Sequence, residues 1–252
     1  MKVIYKFDED ISLTWNGDTL QDFITSVESN RVTYLDISHN NLQTLPPEIG
    51  SLKSLMYLYA YDNNLQTLRP EIGQLTNLTY LYADKNNLQT LPPEIGSLKN
   101  LTDLYASCNN LQTLPPEIGD LKNLTELHVD SNELQTLPPE IGSLKNLTYL
   151  YVSRNNLQTL PPEIGALKSL THLDVSRNNL QTLPPEICEL RHLRQFYIYD
   201  NEFEYIPVNV QNLINRLRNV RGRGPQYNDT QSVHKSSVQQ SLKQSIYALM
   251  RD

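Results

Sequence analysis

Apolar residues recur along this chain with a period of 23 residues, in eight consecutive copies without an insertion. With each copy numbered from place 1 to place 23, apolar side chains occupy places 1, 4, 6, 11, 14, 18 and 21. The copies begin at Val32, Leu55, Leu78, Leu101, Leu124, Leu147, Leu170 and Leu193. A single unit of this kind cannot bury its apolar face, so the copies must stack and share one continuous core.

Places 3 to 5 alternate outward, inward and outward, which is typical of a β-strand. Asparagine follows at place 9 in every copy, and we expect these amides to form a ladder that bonds backbone groups at the turn after the strand. Unsatisfied backbone groups there would cost about 1–3 kcal/mol each. The ladder residues are Asn40, Asn63, Asn86, Asn109, Asn132, Asn155, Asn178 and Asn201.

The stretch L-P-P-E-I-G at places 14 to 19 predicts how the chain turns back after each strand. Paired prolines fix φ and favour an extended or polyproline-like run, after which a 3-10 or short helical turn can form. The repeat therefore predicts an α/β solenoid curved like a horseshoe, with a parallel sheet on its concave face and these turns on its convex face. Six of the nine glycines stand at place 19, and Cys188 takes that place in the seventh copy, where we expect a small buried filler.

The repeat resembles the leucine-rich repeat family in its 23-residue form, L-x-x-L-x-L-x-x-N-x-L-x-x-L-P-x-x-I-x-x-L. That form is similar to the intracellular Ras-group, Roco and Scribble-type repeats and to repeats of bacterial and viral effectors. The resemblance covers about Val32 to Leu213. It implies the horseshoe fold, but it implies no ligand, because members share an architecture and not a partner.

The two ends of the repeat array must be closed. Upstream, Lys2–Phe7 and Ile11–Trp15 predict two short strands joined by an acidic turn, and Asn16–Thr19 begins a helix. Downstream, a short basic helix is expected at Asn212–Val220, then a linker, then an amphipathic helix over Val233–Met250. We therefore divide the chain into an N-terminal cap (1–31), the eight repeats (32–215) and a C-terminal linker with its helix (216–252).

Composition and charge exclude some classes of function. The net charge is −7, with 21 basic and 28 acidic residues, which argues against nucleic-acid binding and against a polybasic membrane anchor. No apolar run has the length of a membrane span, and the charged first ten residues do not form a secretory signal. Two cysteines about 80 residues apart predict reduced thiols and a cytoplasmic location. We also expect no membrane insertion, since no apolar run is long enough, and a monomer.

The copies differ mainly at places 3, 5, 7 and 8, whereas the convex half barely changes. Eleven of the fifteen tyrosines stand at places 3, 5 and 7. Tyrosine favours strands, but it is also enriched in interface hot spots, and Thr, Val and Ile are nearly absent from places 3 and 5. The candidate partner-binding residues on this concave face are Tyr34, Tyr57, Tyr59, Tyr61, Tyr80, Tyr82, Asp103, Tyr105, Glu126, His128, Asp130, Tyr149, Tyr151, Arg154, His172, Asp174, Arg177, Tyr197 and Tyr199.

Charged residues lie among these tyrosines. Asp103 and Glu126 occupy place 3 of adjacent copies, so their carboxylates should be close without an intervening cation. A Lys or Arg of a partner would relieve that repulsion, and two solvated carboxylates are the alternative.

No motif for catalysis stands out. His128 and Asp174 are two copies apart, about 10 Å at the usual strand spacing, too far to share a zinc ion. No nucleophile elbow or phosphate loop occurs. We predict no enzymatic activity, no metal and no cofactor.

The sequence thus predicts a protein–protein interaction module that presents tyrosines in an acidic field to a folded partner with a basic or mixed surface. Two alternatives remain open. The chain could be a scaffold or effector that recruits a second partner through its C-terminal helix, or a purely structural solenoid.

Overall fold

The computed structural model describes residues 1–7 and 12–221. Within them lie ten strands, two α-helices and eight short 3-10 turns. The strands are β1 (Lys2–Phe7), β2 (Leu13–Asn16), β3 (Val32–Asp36), β4 (Tyr57–Tyr59), β5 (Tyr80–Tyr82), β6 (Asp103–Tyr105), β7 (Glu126–His128), β8 (Tyr149–Tyr151), β9 (His172–Asp174) and β10 (Gln195–Tyr197). The helices are α1 (Leu20–Ser26) and α2 (Val208–Arg221).

All ten strands form one sheet in the order β10-β9-β8-β7-β6-β5-β4-β3-β1-β2. From β3 to β10 every pairing is parallel, and each residue pairs with the residue 23 positions further along, as Leu58 does with Leu81. The uninterrupted period therefore places equal positions of all copies in rows across the sheet. The prediction of a curved α/β solenoid with this sheet on its concave face is confirmed.

Opposite the sheet, the chain turns back through 3-10 turns that begin at the proline of place 16 in the first seven copies. The residue before each turn has φ between −65° and −70° and ψ between 138° and 157°, which is the polyproline region. The turns are Pro47–Ser51, Pro70–Gln74, Pro93–Ser97, Pro116–Asp120, Pro139–Ser143, Pro162–Ala166 and Pro185–Glu189, and Ser29–Arg31 precedes the first repeat. The leucines and isoleucines between sheet and turns form one buried core.

Glycine at place 19 lets neighbouring turns pack closely. A Cβ on Gly119 would lie 2.5 Å from the carbonyl oxygen of Glu140 in the next copy, so a side chain there does not fit. The turn that holds Cys188 packs against Pro162–Ala166 on one side, but on its other side α2 takes the place of a following 3-10 turn, which explains why a side chain is tolerated there. It is partly buried against the core and has a free thiol.

The asparagines at place 9 join successive copies. In the middle of the array, Nδ2 of Asn109 lies 3.0 Å from the Ala83 carbonyl oxygen and 3.1 Å from that of Ala106, and its Oδ1 accepts from the amide of Leu88 at 3.0 Å. Each buried asparagine thus bonds backbone groups of its own copy and of the copy before it. The carbonyl oxygen atoms are shared between successive asparagines, whereas the backbone amide has the asparagine as its partner.

The N-terminal segment extends the sheet. β1 pairs antiparallel with β2 and with β3. The ring of Trp15 packs against the core, and its centroid lies 5.7 Å from that of Phe23 in α1. β2 begins two residues later than the sequence indicated, and α1 begins after the N-cap Thr19, whose Oγ1 accepts from the amide of Asp22.

The C-terminal end differs from expectation in where its helix starts. α2 begins at Val208, four residues before the predicted Asn212, because the eighth copy lacks the second proline and has no ninth copy to pack against. Val210 and Leu213 close the core at this end. The acidic turn at 8–10, Ile11, the linker and the helix predicted at Val233–Met250 lie outside the described residues, and the division of the chain at residues 31 and 215 stays a prediction.

Candidate functional site

Places 3, 5 and 7 of the eight copies project from the concave side of the sheet and form three rows, which we call the place-3, place-5 and place-7 columns. Their 24 positions hold eleven tyrosines, two histidines and six carboxylates, but no lysine or arginine. The place-3 and place-5 side chains are half-buried, because each lies against its neighbours in the row. The columns bring together the predicted binding residues except Arg154 and Arg177, which stand at place 8.

The place-5 column contains five consecutive stacked rings. Centroid distances are 4.6 Å between Tyr59 and Tyr82, 4.5 Å between Tyr82 and Tyr105, 4.1 Å between Tyr105 and His128, and 4.5 Å between His128 and Tyr151. Their interplanar angles do not exceed 28°. Parallel register across the sheet produces this stack, since strand spacing is close to the stacking distance. His128 therefore continues the aromatic surface and does not form an acid–base pair with an aspartate.

The place-3 column has two shorter stacks. Tyr57 and Tyr80 stack at 4.7 Å, and Tyr149 and His172 stack at 4.4 Å. Asp103 and Glu126 stand between these stacks and interrupt the aromatic row. Further along, Tyr34 lies 5.2 Å from Tyr59 and so joins the two columns at the N-terminal end.

Asp103 and Glu126 are not simply two solvated carboxylates. The hydroxyl of Tyr105 donates to Oε2 of Glu126 at 2.6 Å, and Nε2 of His128 lies 3.3 Å from the same oxygen. Oδ2 of Asp103 accepts from the hydroxyl of Thr102. Burial raises the pKa of Asp103, and the charge of Glu126 raises it further, so the pair carries an electrostatic cost.

Three more carboxylates belong to the place-5 and place-7 columns. Asp84 accepts from the amide of Ser107 at 2.8 Å, Asp130 accepts from the hydroxyl of Ser107 at 2.5 Å, and Asp174 accepts from the amide of Ser176 at 2.9 Å. Burial raises the pKa of Asp84 and of Asp174, and the charge of Asp130 adds to both. In the described part of the chain, no carboxylate of the three columns forms an ion pair with lysine or arginine.

Place 8 forms a rim beside the columns. Its eight residues all have φ between 52° and 58°, the left-handed region that side chains other than Asn, Asp and Gly seldom adopt. Arg154 and Arg177 are exposed there, and the guanidinium of Arg177 lies 5.8 Å from the ring of Tyr199 and 3.3 Å from Asp200. At the other end, Tyr61 contacts His39 edge-on at 5.0 Å.

Sequence reasoning missed two contributors to this face. Lys6 of β1 pairs with Tyr34 across the antiparallel ladder, and its Nζ lies 5.2 Å from the ring. The place-7 serines hold the aspartates, as the contacts of Ser107 and Ser176 show. Strand alternation in β1 and the repetition of serine at place 7 were the available signals.

Other kinds of site find little support. Within residues 1–7 and 12–221, no three His, Cys, Asp or Glu side chains are arranged to hold a metal ion. A cavity of about 520 Å³ is lined by Lys168, Glu189, Arg191 and His192, away from the columns, and Lys168 is engaged there by Glu189 at 2.6 Å. No helix in the described part of the chain combines the length and apolar character that crossing a membrane needs.

Comparison with known proteins gives consistent results. A model described as leucine-rich repeat region matches residues 28–111 and 139–243, and a leucine-rich repeat model matches 123–144. A search of curated proteins finds no match. These matches identify a family, and the 23-residue intracellular subtype stays a prediction.

Solved structures with the same fold include a leucine-rich repeat protein of Leptospira interrogans, with 41% identity and a TM-score of 0.68 over 71% of this chain and 46% of that one. The ectodomain of the plant membrane receptor kinase GASSHO1/SCHENGEN3 from Arabidopsis thaliana, in complex with CASPARIAN STRIP INTEGRITY FACTOR 2, has 33% identity and a TM-score of 0.60. That match covers 70% of this chain and 22% of the receptor. The plant peptide hormone receptor RGFR1, in complex with RGF2, has 27% identity and a TM-score of 0.54 over 74% and 39%. This chain thus spans less than half the length of these proteins.

Proposed function

The chain belongs to the leucine-rich repeat family, and on that premise we propose that it is a protein-interaction module whose three columns bind a folded protein partner. The family and its neighbours support protein binding in general, since two of the similar receptors are described in complex with another molecule. The choice of the columns as the binding surface is our own inference.

The stacked place-5 column is the observation that carries this proposal. Rings held at 4.1–4.6 Å form a rigid aromatic surface with polar hydroxyl groups, so little side-chain entropy is lost when a partner covers it. The sheet backbone beneath it is fixed by the asparagine ladder. Pre-organised tyrosine is a common source of interface hot spots.

The test compares two double variants in the same copies. Tyr59→Ala with Tyr82→Ala removes adjacent rings, whereas Gln66→Ala with Gln89→Ala removes two exposed side chains outside the columns. Partners captured by the wild-type chain are quantified by mass spectrometry for each variant. We expect the tyrosine variant to lose these partners, because removing a hot spot lowers affinity by about 2 kcal/mol, or roughly 30-fold. The glutamine variant should retain them.

The scaffold alternative makes the opposite prediction. Partners that persist in the tyrosine variant but disappear when residues 222–252 are removed would contradict binding through the columns. If the chain is a purely structural solenoid, the wild-type chain, the variants and the truncated chain should all capture the same proteins in the same amounts. We also propose that the chain is non-enzymatic and cytoplasmic.

A further inference from the structure

Stacking inside the columns determines which chemistry a partner can use. A cation–π contact needs the face of a ring, but rings stacked at 4.1–4.7 Å cover each other's faces. Within a stack, a partner therefore meets ring edges and hydroxyl groups. Ring faces become available only where a stack ends.

The place-3 column has such an interruption in the middle of the concave face. Tyr80 stacks on Tyr57 with an interplanar angle of 6°, so its other face is turned towards β6 and Asp103. Tyr149 stacks on His172, so its other face is turned towards β7 and Glu126. We call the space above Asp103 and Glu126, between these two rings, the carboxylate notch.

We propose that the carboxylate notch receives an arginine side chain of the partner, an inference that rests on the proposed function of the columns. Tyr80 and Tyr149 are three strands apart, about 14 Å at the usual spacing, and shorter carboxylate side chains stand between them. At that spacing, a guanidinium that lies against one ring is also within reach of a carboxylate.

Charge complementarity supports this occupant. The three columns hold six carboxylates and no lysine or arginine, although the chain contains 21 basic residues. Asp103 and Glu126 pair in register on adjacent strands, and besides the His128 contact to Glu126 no lysine or arginine of the columns lies beside them, so a cation placed between them relieves their repulsion.

The free oxygen atoms favour arginine over lysine. Tyr105 and His128 both contact Oε2 of Glu126, and Thr102 contacts Oδ2 of Asp103. Within the described part of the chain, Oε1 of Glu126 and Oδ1 of Asp103 accept no hydrogen bond from another side chain or amide. A planar guanidinium both donates to such oxygens along fixed directions and stacks on a phenol, whereas an ammonium is a strongly hydrated point charge.

The experiment uses fluorescent hexa-arginine and hexalysine as probes. The two peptides carry the same charge, so a difference between their affinities reports recognition of the guanidinium and not general electrostatic attraction to the acidic chain. Anisotropy titrations at about 0.15 M salt compare the wild-type chain with Asp103→Asn/Glu126→Gln and with Glu94→Gln/Glu117→Gln. The control pair removes the same charge from the convex turns of neighbouring copies. We expect the notch variant to lose at least about tenfold in hexa-arginine affinity and the control less than about threefold.

A second pair of variants tests the ring faces. Tyr80→Leu/Tyr149→Leu should bring hexa-arginine and hexalysine affinities together, because the stacking surface is gone while the carboxylates remain. Equal affinity of the wild-type chain for both probes, or equal losses in the notch and control variants, would overturn the proposal. So would self-association of the wild-type chain that the notch variant abolishes, since a second copy would then be the occupant.

Captured partners separate this inference from the proposed function. If Asp103→Asn/Glu126→Gln leaves partner affinity unchanged while Tyr59→Ala/Tyr82→Ala removes it, the columns bind the partner and the arginine inference is wrong. If both variants keep the partner, the proposed function itself is wrong. If both variants lose the partner and the wild-type chain prefers hexa-arginine, the proposed function and the arginine inference are both supported.

Discussion

The hydroxyl of Tyr105 donates a 2.6 Å hydrogen bond to Oε2 of Glu126, which belongs to the next copy and to the other column. His128 stacks on Tyr105 at 4.1 Å and places Nε2 3.3 Å from the same oxygen. Two side chains, one from each of two adjacent copies, therefore hold one carboxylate at the centre of the concave face. This contact joins the place-3 and place-5 columns, so the proposed binding surface is one connected unit.

The tyrosine columns predict loss of stability at high pH. Burial, followed by the charges of Tyr59, Asp103 and Glu126, raises the pKa of Tyr82 to about 12, whereas tyrosine in an unfolded chain titrates near 10. The folded state retains this proton longer, so the contribution is fully present below pH 10 and is lost as the pH rises towards 12. We expect the urea midpoint to fall over that window, and to fall less steeply in Tyr82→Phe. Tyr205→Phe removes an exposed tyrosine outside the columns and serves as the comparison.

We predict that the buried charge of an aspartate in the columns lowers the stability of the folded chain at neutral pH. Burial raises the pKa of Asp174, so its contribution is present below pH 3.8 and is lost as the pH rises through the higher folded value. Asp174→Asn keeps an oxygen that accepts from the amide of Ser176 and removes the buried charge. We expect a higher melting temperature than wild type at pH 7 and a difference that shrinks on acidification. A lower melting temperature at pH 7 would contradict this account.

Close packing of the convex turns predicts an asymmetry between two equivalent places. Gly119→Ala would put a methyl group 2.5 Å from the carbonyl oxygen of Glu140, and we expect a loss of about 1–3 kcal/mol from overpacking. Cys188→Ala changes the same place in the seventh copy, where α2 stands in place of a following 3-10 turn, and should cost less than about 1 kcal/mol. Urea unfolding measures both, and similar losses would show that the neighbouring turn is not the cause.

The asparagine ladder predicts position-dependent losses. Asn109→Ala leaves the buried amide of Leu88 without a partner and removes one of the two asparagine donors from each of the carbonyl oxygen atoms of Ala83 and Ala106, which Asn86 and Asn132 continue to bond, so we expect a loss of about 1–3 kcal/mol. Asn201 makes similar contacts at the partly exposed last copy, where water can replace them. Asn201→Ala should therefore cost about half as much in the free energy of unfolding.

The amino-acid sequence by itself determined the fold, the core and the faces of each copy. A 23-residue period without insertions leaves one register between strands, so Tyr59 and Tyr82 had to become neighbours, and the leucines at place 4 had to point inward. The asparagine at place 9 followed from the same argument, because a repeated polar residue next to a core needs backbone partners.

Only the tertiary structure decided which variable residues act together. It showed that His128 is a member of the aromatic stack, that the Glu126 carboxylate accepts from Tyr105, and that Lys6 lies against the concave face. It also showed that Cys108 and the other seven residues at place 8 have left-handed backbone. These features depend on distances between side chains of different copies and on how the terminal segments pack. Period and composition fix the order of residues along the solenoid, but contacts of a few ångströms depend on how each copy is rotated against the next.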